Sequence, residues 1–217
     1  MRFFVVGDVH GCYYTFRTML GEWDQENEML IQLGDLVDRG KNSPQMVAHA
    51  RMLREENPTR VRFLKGNHEH EMQQHFFSGP NANWLRQGGA GTLRQYDNEK
   101  RDCRDDVEWL SRLPLFFESR HLYVSHAGIS EAAKDPFVEG SEYGILWNRS
   151  RLKNIGKLQV IGHTPREEPL YDARANAWNI DTGAVYGRYL TGLKISEEGQ
   201  VQKFLKVETD ARDLWQQ

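Results

Sequence analysis

The chain opens on an apolar run at residues 3–6 that stops at Gly7. A short aromatic and β-branched stretch closed by glycine reads as a buried strand. Behind it, Tyr13, Phe16, Met19, Leu20 and Trp23 fall on one face at helical spacing. The unit then recurs. Residues 29–33 run into Gly34, and the next helix places Met46, Val47, Ala50 and Leu53 on one side. Residues 61–64 lead to Gly66, with a helical stretch over 69–77. Alternating strands and helices predict a layered α/β fold whose sheet is mostly parallel here. Over 78–104, Gly79-Pro80, Gly88-Gly89 and a charged stretch from Asp97 break any regular period, which predicts loops and short helices forming a cap or insertion. Further strands are expected at 115–117, 122–125 and 158–161, with a long loop up to Trp147 between the last two. A hairpin is expected from 189–195 and 201–207 around Ser196-Glu197-Glu198-Gly199-Gln200.

The 217 residues, 39% hydrophobic, suffice for one sizeable core, and no linker splits residues 1–217 into more than one domain. With 31 acidic against 28 Lys and Arg residues the formal charge is -3, without the basic excess of a nucleic-acid binder. No apolar run approaches the roughly 20 residues of a membrane span. The amino terminus reaches Gly7-Asp8 too soon for a signal peptide, so a cytoplasmic chain without nucleic-acid or membrane partners is expected. Cys12 and Cys103 are too few and too far apart for a disulfide framework.

Chemistry gathers where the predicted strands end. After the first comes Gly7-Asp8-Val9-His10-Gly11, after the second Gly34-Asp35-Leu36-Val37-Asp38-Arg39-Gly40, and after the third Gly66-Asn67-His68-Glu69. Two later strand ends add Ser125-His126-Ala127-Gly128 and Gly162-His163-Thr164. Open α/β sheets bind ligands beyond the carboxyl ends of their strands, so these loops should converge on one site. Imidazoles with at least two carboxylates suit borderline divalent ions such as Mn, Fe or Zn better than Ca or Mg. The flanking glycines let backbone approach a metal or phosphate closely.

The ordered set GDVHG, GDLVDRG, GNHE, HAG and GHT, with Asp181-Thr182-Gly183-Ala184 as a further match, resembles the calcineurin-like metallophosphoesterases. It is most similar to their small bacterial and phage-type serine/threonine protein phosphatases. The resemblance implies a two-sheet β-sandwich flanked by helices, with the metal site at the strand carboxyl ends. It implies two divalent metal ions, manganese first with iron or zinc as alternatives, one held by Asp8, His10 and Asp35 and the other by Asp35, Asn67, His126 and His163. Asp35 would bridge them, and a metal-bridging hydroxide would attack phosphorus. His68 would be the general acid, oriented by Asp38, while Arg39, Arg149 and Asn67 would bind the substrate phosphate. Where these phosphatases usually have arginine before GNHE, this chain has Lys65.

The activity expected is hydrolysis of phosphoserine and phosphothreonine on protein substrates. A symmetrical dinucleoside tetraphosphate hydrolase shares the motifs and is the alternative, with an inactive binding scaffold third. Asp38 and the glutamate of Gly66-Asn67-His68-Glu69 favour the protein phosphatase, as does the short spacing from His126 to His163. Apart from the motifs, His49, His70, His75 and His121 read as solvated or packed histidines, and Trp84 as core or cap packing.

Overall fold

The computed structural model describes residues 1–215. Two five-stranded mixed sheets face each other. The first is built from β1 (Arg2–Val6), β2 (Glu28–Gln32) and β3 (Val61–Phe63), separated by the helices α1 (Tyr13–Leu20) and α2 (Ser43–Glu56). The helix after β3, α3, covers Asn67–Phe77 and begins two residues earlier than the apolar spacing places it. The stretch over residues 78–104 follows with a single turn α4 (Ala82–Trp84), a π-helical turn at Leu85–Gly89 and α5 (Ala90–Asn98). Then come α6 (Arg104–Ser111), which the pattern did not single out, β4 (Phe116–Glu118), β5 (Leu122–Ser125) and β6 (Leu158–Ile161). The chain closes with β7 (Leu170–Asp172), β8 (Ala177–Asn179), and the expected hairpin as β9 (Tyr189–Ile195) and β10 (Val201–Glu208).

Strand order is β10-β9-β1-β2-β3 in one sheet and β4-β5-β6-β8-β7 in the other. Strands β1, β2 and β3 are parallel, as expected, but β9 and β10 run antiparallel to their neighbours, which makes the whole sheet mixed. In the second sheet β5, β6 and β8 are parallel, with β4 and β7 antiparallel at the edges. The three-residue pair β7 and β8 was not foreseen. Each is too short to show a period, and the intervening Ala173–Asn176 turn carries charge rather than a glycine.

Alternation along β1 explains the layering, because successive side chains leave opposite faces of a strand. Phe3 and Val5 join Ile31, Val124, Val160 and Leu193 in the core between the sheets. Phe4 and Val6 instead join Phe16, Met19, Met46 and Val47 under α1 and α2. Both faces of β1 are thus buried, which is why the strand reads as continuously apolar. Burying a side chain of this size stabilises the fold by about 1.5–3 kcal/mol. The parallel strands of both sheets point their carboxyl ends toward one rim, and all five motif loops emerge there.

No helix among the described residues is long and apolar enough to cross a membrane.

Candidate metal-phosphoesterase site

The structure brings Asp8, His10, Asp35, Asn67, His126 and His163 into one buried cluster. Asp35 lies at its centre. Its Oδ2 is 3.3 Å from His10 Nε2 and 3.5 Å from His126 Nε2, and its Oδ1 accepts the His68 amide at 3.1 Å. The tautomers are readable from the hydrogen bonds behind the rings. His10 Nδ1 faces the Val37 carbonyl and His126 Nδ1 faces the Leu33 carbonyl, each at 3.0 Å. Donation there leaves both Nε2 lone pairs turned toward Asp35, the arrangement that outer partners impose on metal-binding histidines.

On the other side Asn67 Oδ1 is 3.0 Å from His126 Nε2 and 2.9 Å from His163 Nδ1, and the two ring nitrogens are 3.2 Å apart. One proton at most serves these three acceptor atoms, so a cation among them satisfies what hydrogen bonding alone does not. Asp8 Oδ2 accepts the His163 amide at 2.9 Å, while its Oδ1 is buried without a partner. Gly162 permits this approach, since a Cβ there would stand 2.0 Å from that Oδ1. Donor atoms of Asp8, Asp35 and His126 lie within 4.8 Å of one another, as do those of His10, Asp35 and His68. Asp35 belongs to both groups.

The electrostatics suit a cation. Burial, then repulsion from Asp181 and Asp35, pushes the Asp8 carboxyl well above its ordinary range. Burial pushes His10 and His126 down and takes His163 to about 2, so these rings are neutral and keep a lone pair to give. His10, Asp35, Asp38, Arg39 and His163 are all non-glycine residues at positive φ, from 47° to 74°. Left-handed backbone costs an L-residue about 1 kcal/mol each, and such strain concentrates at functional sites.

His68 stands beside the cluster, its ring edge-on to His10 with centroids 4.7 Å apart. Its Nδ1 is 2.6 Å from Asp38 Oδ2, and its Nε2 is buried without a partner. Burial pulls its pKa down, but Asp35 and the bond to Asp38 outweigh burial and raise it. Asp38 is held in turn by Trp84 Nε1 at 2.8 Å and Thr92 Oγ1 at 2.6 Å, both from residues 78–104. Arg39 reaches in from the next position, its Nη1 donating to His10 Nε2 at 2.5 Å.

Arg149 is not brought into contact with these groups. It is exposed, on the wall of a cavity of about 170 Å³ that also touches Asn148, Gly162 and Asn179. Lys65 faces elsewhere: its buried ammonium is 3.0 Å from Glu139 Oε2. His70 Nδ1 meets the same carboxylate at 3.0 Å, and the Glu139 carbonyl accepts from Trp147 Nε1 at 2.9 Å. Lysine at position 65 therefore straps the loop that carries Trp147 and Arg149 onto α3. The hydrogen bond from His70, then those from Lys65, lower Glu139 from the ordinary 4.5 to about 2. A depressed carboxylate stabilises the fold fully above the unfolded value and loses that contribution as pH falls from 4.5 through about 2. Glu139→Gln should cost about 1–2 kcal/mol at pH 7, after allowance for partial exposure, with the cost shrinking as pH falls from 4.5 and gone only below about pH 2. Denaturant melts across that range check this; a cost independent of pH would contradict it.

Three residues with clear roles in the structure had no assigned role in the sequence. Glu69 Oε2 accepts the amides of Gly66 and Asp35 at 2.8 Å, and Oε1 accepts those of Leu36 and Val37 at 2.8 and 3.4 Å, so one carboxylate clamps the Asp35 loop. Burial, then Asp35, raises it to about 7. Its place in Gly66-Asn67-His68-Glu69 was the available signal. Asp181 is buried close enough to Asp8 to repel it, and burial raises it to about 6. Thr92 had no signal, being 54 positions from the aspartate it bonds. Burial raises both cysteine thiols, so neither is primed as a nucleophile.

A family model described as calcineurin-like phosphoesterase matches residues 1–196. The chain belongs to this family. Its members are dinuclear metal-dependent hydrolases, and the cluster fits that chemistry. Serine/threonine-protein phosphatase 1 of Salmonella typhimurium is 32% identical over 203 residues, covering 88% of this chain and 90% of the relative. The asymmetrical bis(5'-nucleosyl)-tetraphosphatase PrpE of Bacillus subtilis is 27% identical, covering 91% and 92%. This tetraphosphatase is of the asymmetrical kind, whereas the motifs suggested the symmetrical kind. Among solved structures, a cold-active protein tyrosine phosphatase superposes with a TM-score of 0.67 at 17% identity, covering 93% of this chain and 78% of the other. A Saccharomyces cerevisiae protein serine/threonine phosphatase gives 0.68 at 15%, covering 96% and 80%. Both show the shared fold.

Proposed function

We propose that this calcineurin-like phosphoesterase hydrolyses phosphoserine and phosphothreonine monoesters on proteins. The observation that carries this reading is the His68–Asp38 pair. A serine or threonine alkoxide is a very poor leaving group and needs a proton delivered as the P–O bond breaks. A nucleotide leaving a tetraphosphate departs as a phosphate anion already stable at neutral pH, and needs little such help. An imidazole held at 2.6 Å by a carboxylate that accepts two further hydrogen bonds is an arrangement suited to the first case.

In this reading Asp8, His10 and Asp35 would hold one divalent ion, and Asp35, Asn67, His126 and His163 would hold the other. Manganese is the first candidate and iron or zinc the next, on the mix of imidazole and carboxylate. When bound, the ions supply charge to the phosphate oxygens and acidify water for attack at phosphorus. The protein's own part is orientation and proton supply. Asn67 and Arg39 orient the phosphate, and Arg39 exchanges its bond to His10 for one to a phosphate oxygen. Arg149, exposed next to the buried Asn148, would reach the phosphate from solvent, where its guanidinium fork suits two oxygens of one phosphate. His68 Nε2 gives its proton to the departing oxygen while Asp38 holds the ring in place.

The relatives named for tetraphosphate cleavage cover as much of this chain as the phosphatase does, which sustains a second reading as a dinucleoside tetraphosphate hydrolase. The experiment that separates them follows the leaving group. Wild-type kcat for alkyl phosphate monoesters should stay within about 10-fold of that for aryl monoesters, because the acid cancels the difference in leaving-group basicity. A steep fall from aryl to alkyl would overturn the proposal.

A further inference from the structure

The stretch over residues 78–104 does more than hold Asp38. Gly88, at φ 136°, lies flat against the second motif loop: a Cβ there would stand 2.8 Å from both the Arg39 amide nitrogen and Asp38 Cβ. That close approach fixes Arg86, before the glycine, and Arg94, one turn into α5, on the same side as Arg39. Together with Trp215, the three arginines line a cavity of about 210 Å³, and no acidic side chain lines it among the described residues. Trp215 closes one wall, its Nε1 donating to the Arg39 carbonyl at 2.8 Å.

Arg86 and Arg94 are both exposed, and neither makes a hydrogen bond or ion pair with the described residues. In a chain of net charge -3, an acid-free cavity with two unengaged guanidinium groups beside Arg39 is a local reversal of sign. The cavity around Arg149 differs, since Asp172 lines it and Arg151 there pairs with Glu131. Unpaired guanidinium groups converging on a cleft select anions, and they match carboxylate or phosphate oxygens two at a time.

We propose that the cavity between this stretch and the second motif loop is a subsite for a second anionic group of the substrate, a carboxylate or phosphate next to the phosphate being cut. It rests on the reading that Arg39 holds that phosphate, since Arg39 belongs to both places. The stretch then sets substrate preference: peptides with an acidic or phosphorylated neighbour are held at two points and neutral ones at one. Because the subsite is open to solvent, its contribution is modest and falls with salt.

The test uses the metal-loaded full chain and three phosphoserine peptides of one length, whose flanking residue is glutamate, a second phosphoserine or alanine. Wild-type KM should be about 5–10-fold lower for one or both anionic peptides than for the alanine peptide, with kcat similar, which is the scale of one or two partly exposed ion pairs. The arm with the lower KM identifies whether carboxylate or phosphate is preferred. The double variant Arg86→Ala/Arg94→Ala should bring the three KM values within about 2-fold while leaving p-nitrophenyl phosphate kinetics unchanged, which also reports on folding. An unaltered anionic preference in the double variant, or none in the wild type, would overturn the subsite. Arg39→Ala tests the underlying reading by itself, because it should weaken p-nitrophenyl phosphate too. If it does not, Arg39 is not the phosphate arm, whatever the peptides show.

Discussion

Asp35→Asn is expected to be the most damaging single substitution, removing on the order of 10³-fold of kcat and lowering metal content at both positions. Losing even an outer partner of a metal ligand costs about 10–100-fold in affinity or activity, and Asp35 serves two groups at once, so the losses multiply. The carboxylate is central in the structure: Oδ2 lies 3.3 and 3.5 Å from the lone-pair nitrogens of His10 and His126. Asparagine keeps the shape and the oxygen that accepts the His68 amide, so the fold should survive. Asp8→Asn, by contrast, should mainly deplete one position. Metal per chain by atomic emission, alongside phosphopeptide turnover, decides the matter. Two ions retained at full turnover in Asp35→Asn would remove Asp35 from the bridging role.

His68→Asn should lower kcat on phosphoserine peptides by about 10²–10⁴-fold with metal content unchanged. A phosphate ester of nitrophenol should lose far less, because its leaving group departs as a stable anion without a proton. The ring is free to give its proton only at Nε2, since Nδ1 is committed to Asp38 at 2.6 Å. Asp38→Asn should reproduce the pattern more mildly, because Trp84 and Thr92 still anchor the side chain at position 38 while the lost negative charge weakens the hold on the His68 proton. Equal losses on alkyl and aryl substrates would show that His68 supports structure rather than leaving-group departure.

Much of this site was legible because its residues sit in short runs at strand ends. Glycine marks where β1, β2 and β3 stop, and a parallel sheet then forces Asp8, Asp35 and Asn67 to one rim. The hairpin of β9 and β10 was equally legible, since seven- and eight-residue strands show a pattern that the three residues of β7 or β8 do not. Long-range support was not legible. Nothing in the linear sequence pairs Trp84 with Asp38 across 46 positions, or Lys65 with Glu139 across 74. Trp84 read as core, and it is fully buried, but its indole N–H also holds the aspartate behind His68. Arg149 shows the converse limit: the family resemblance named it, yet the structure leaves its side chain exposed.

The most direct test compares kcat/KM for phosphoserine and phosphothreonine peptides with that for diadenosine tetraphosphate, under one metal and one pH. The His68–Asp38 pair predicts that the peptides are the better substrates. A higher kcat/KM for the tetraphosphate would contradict the account and make dinucleotide cleavage the function of this site.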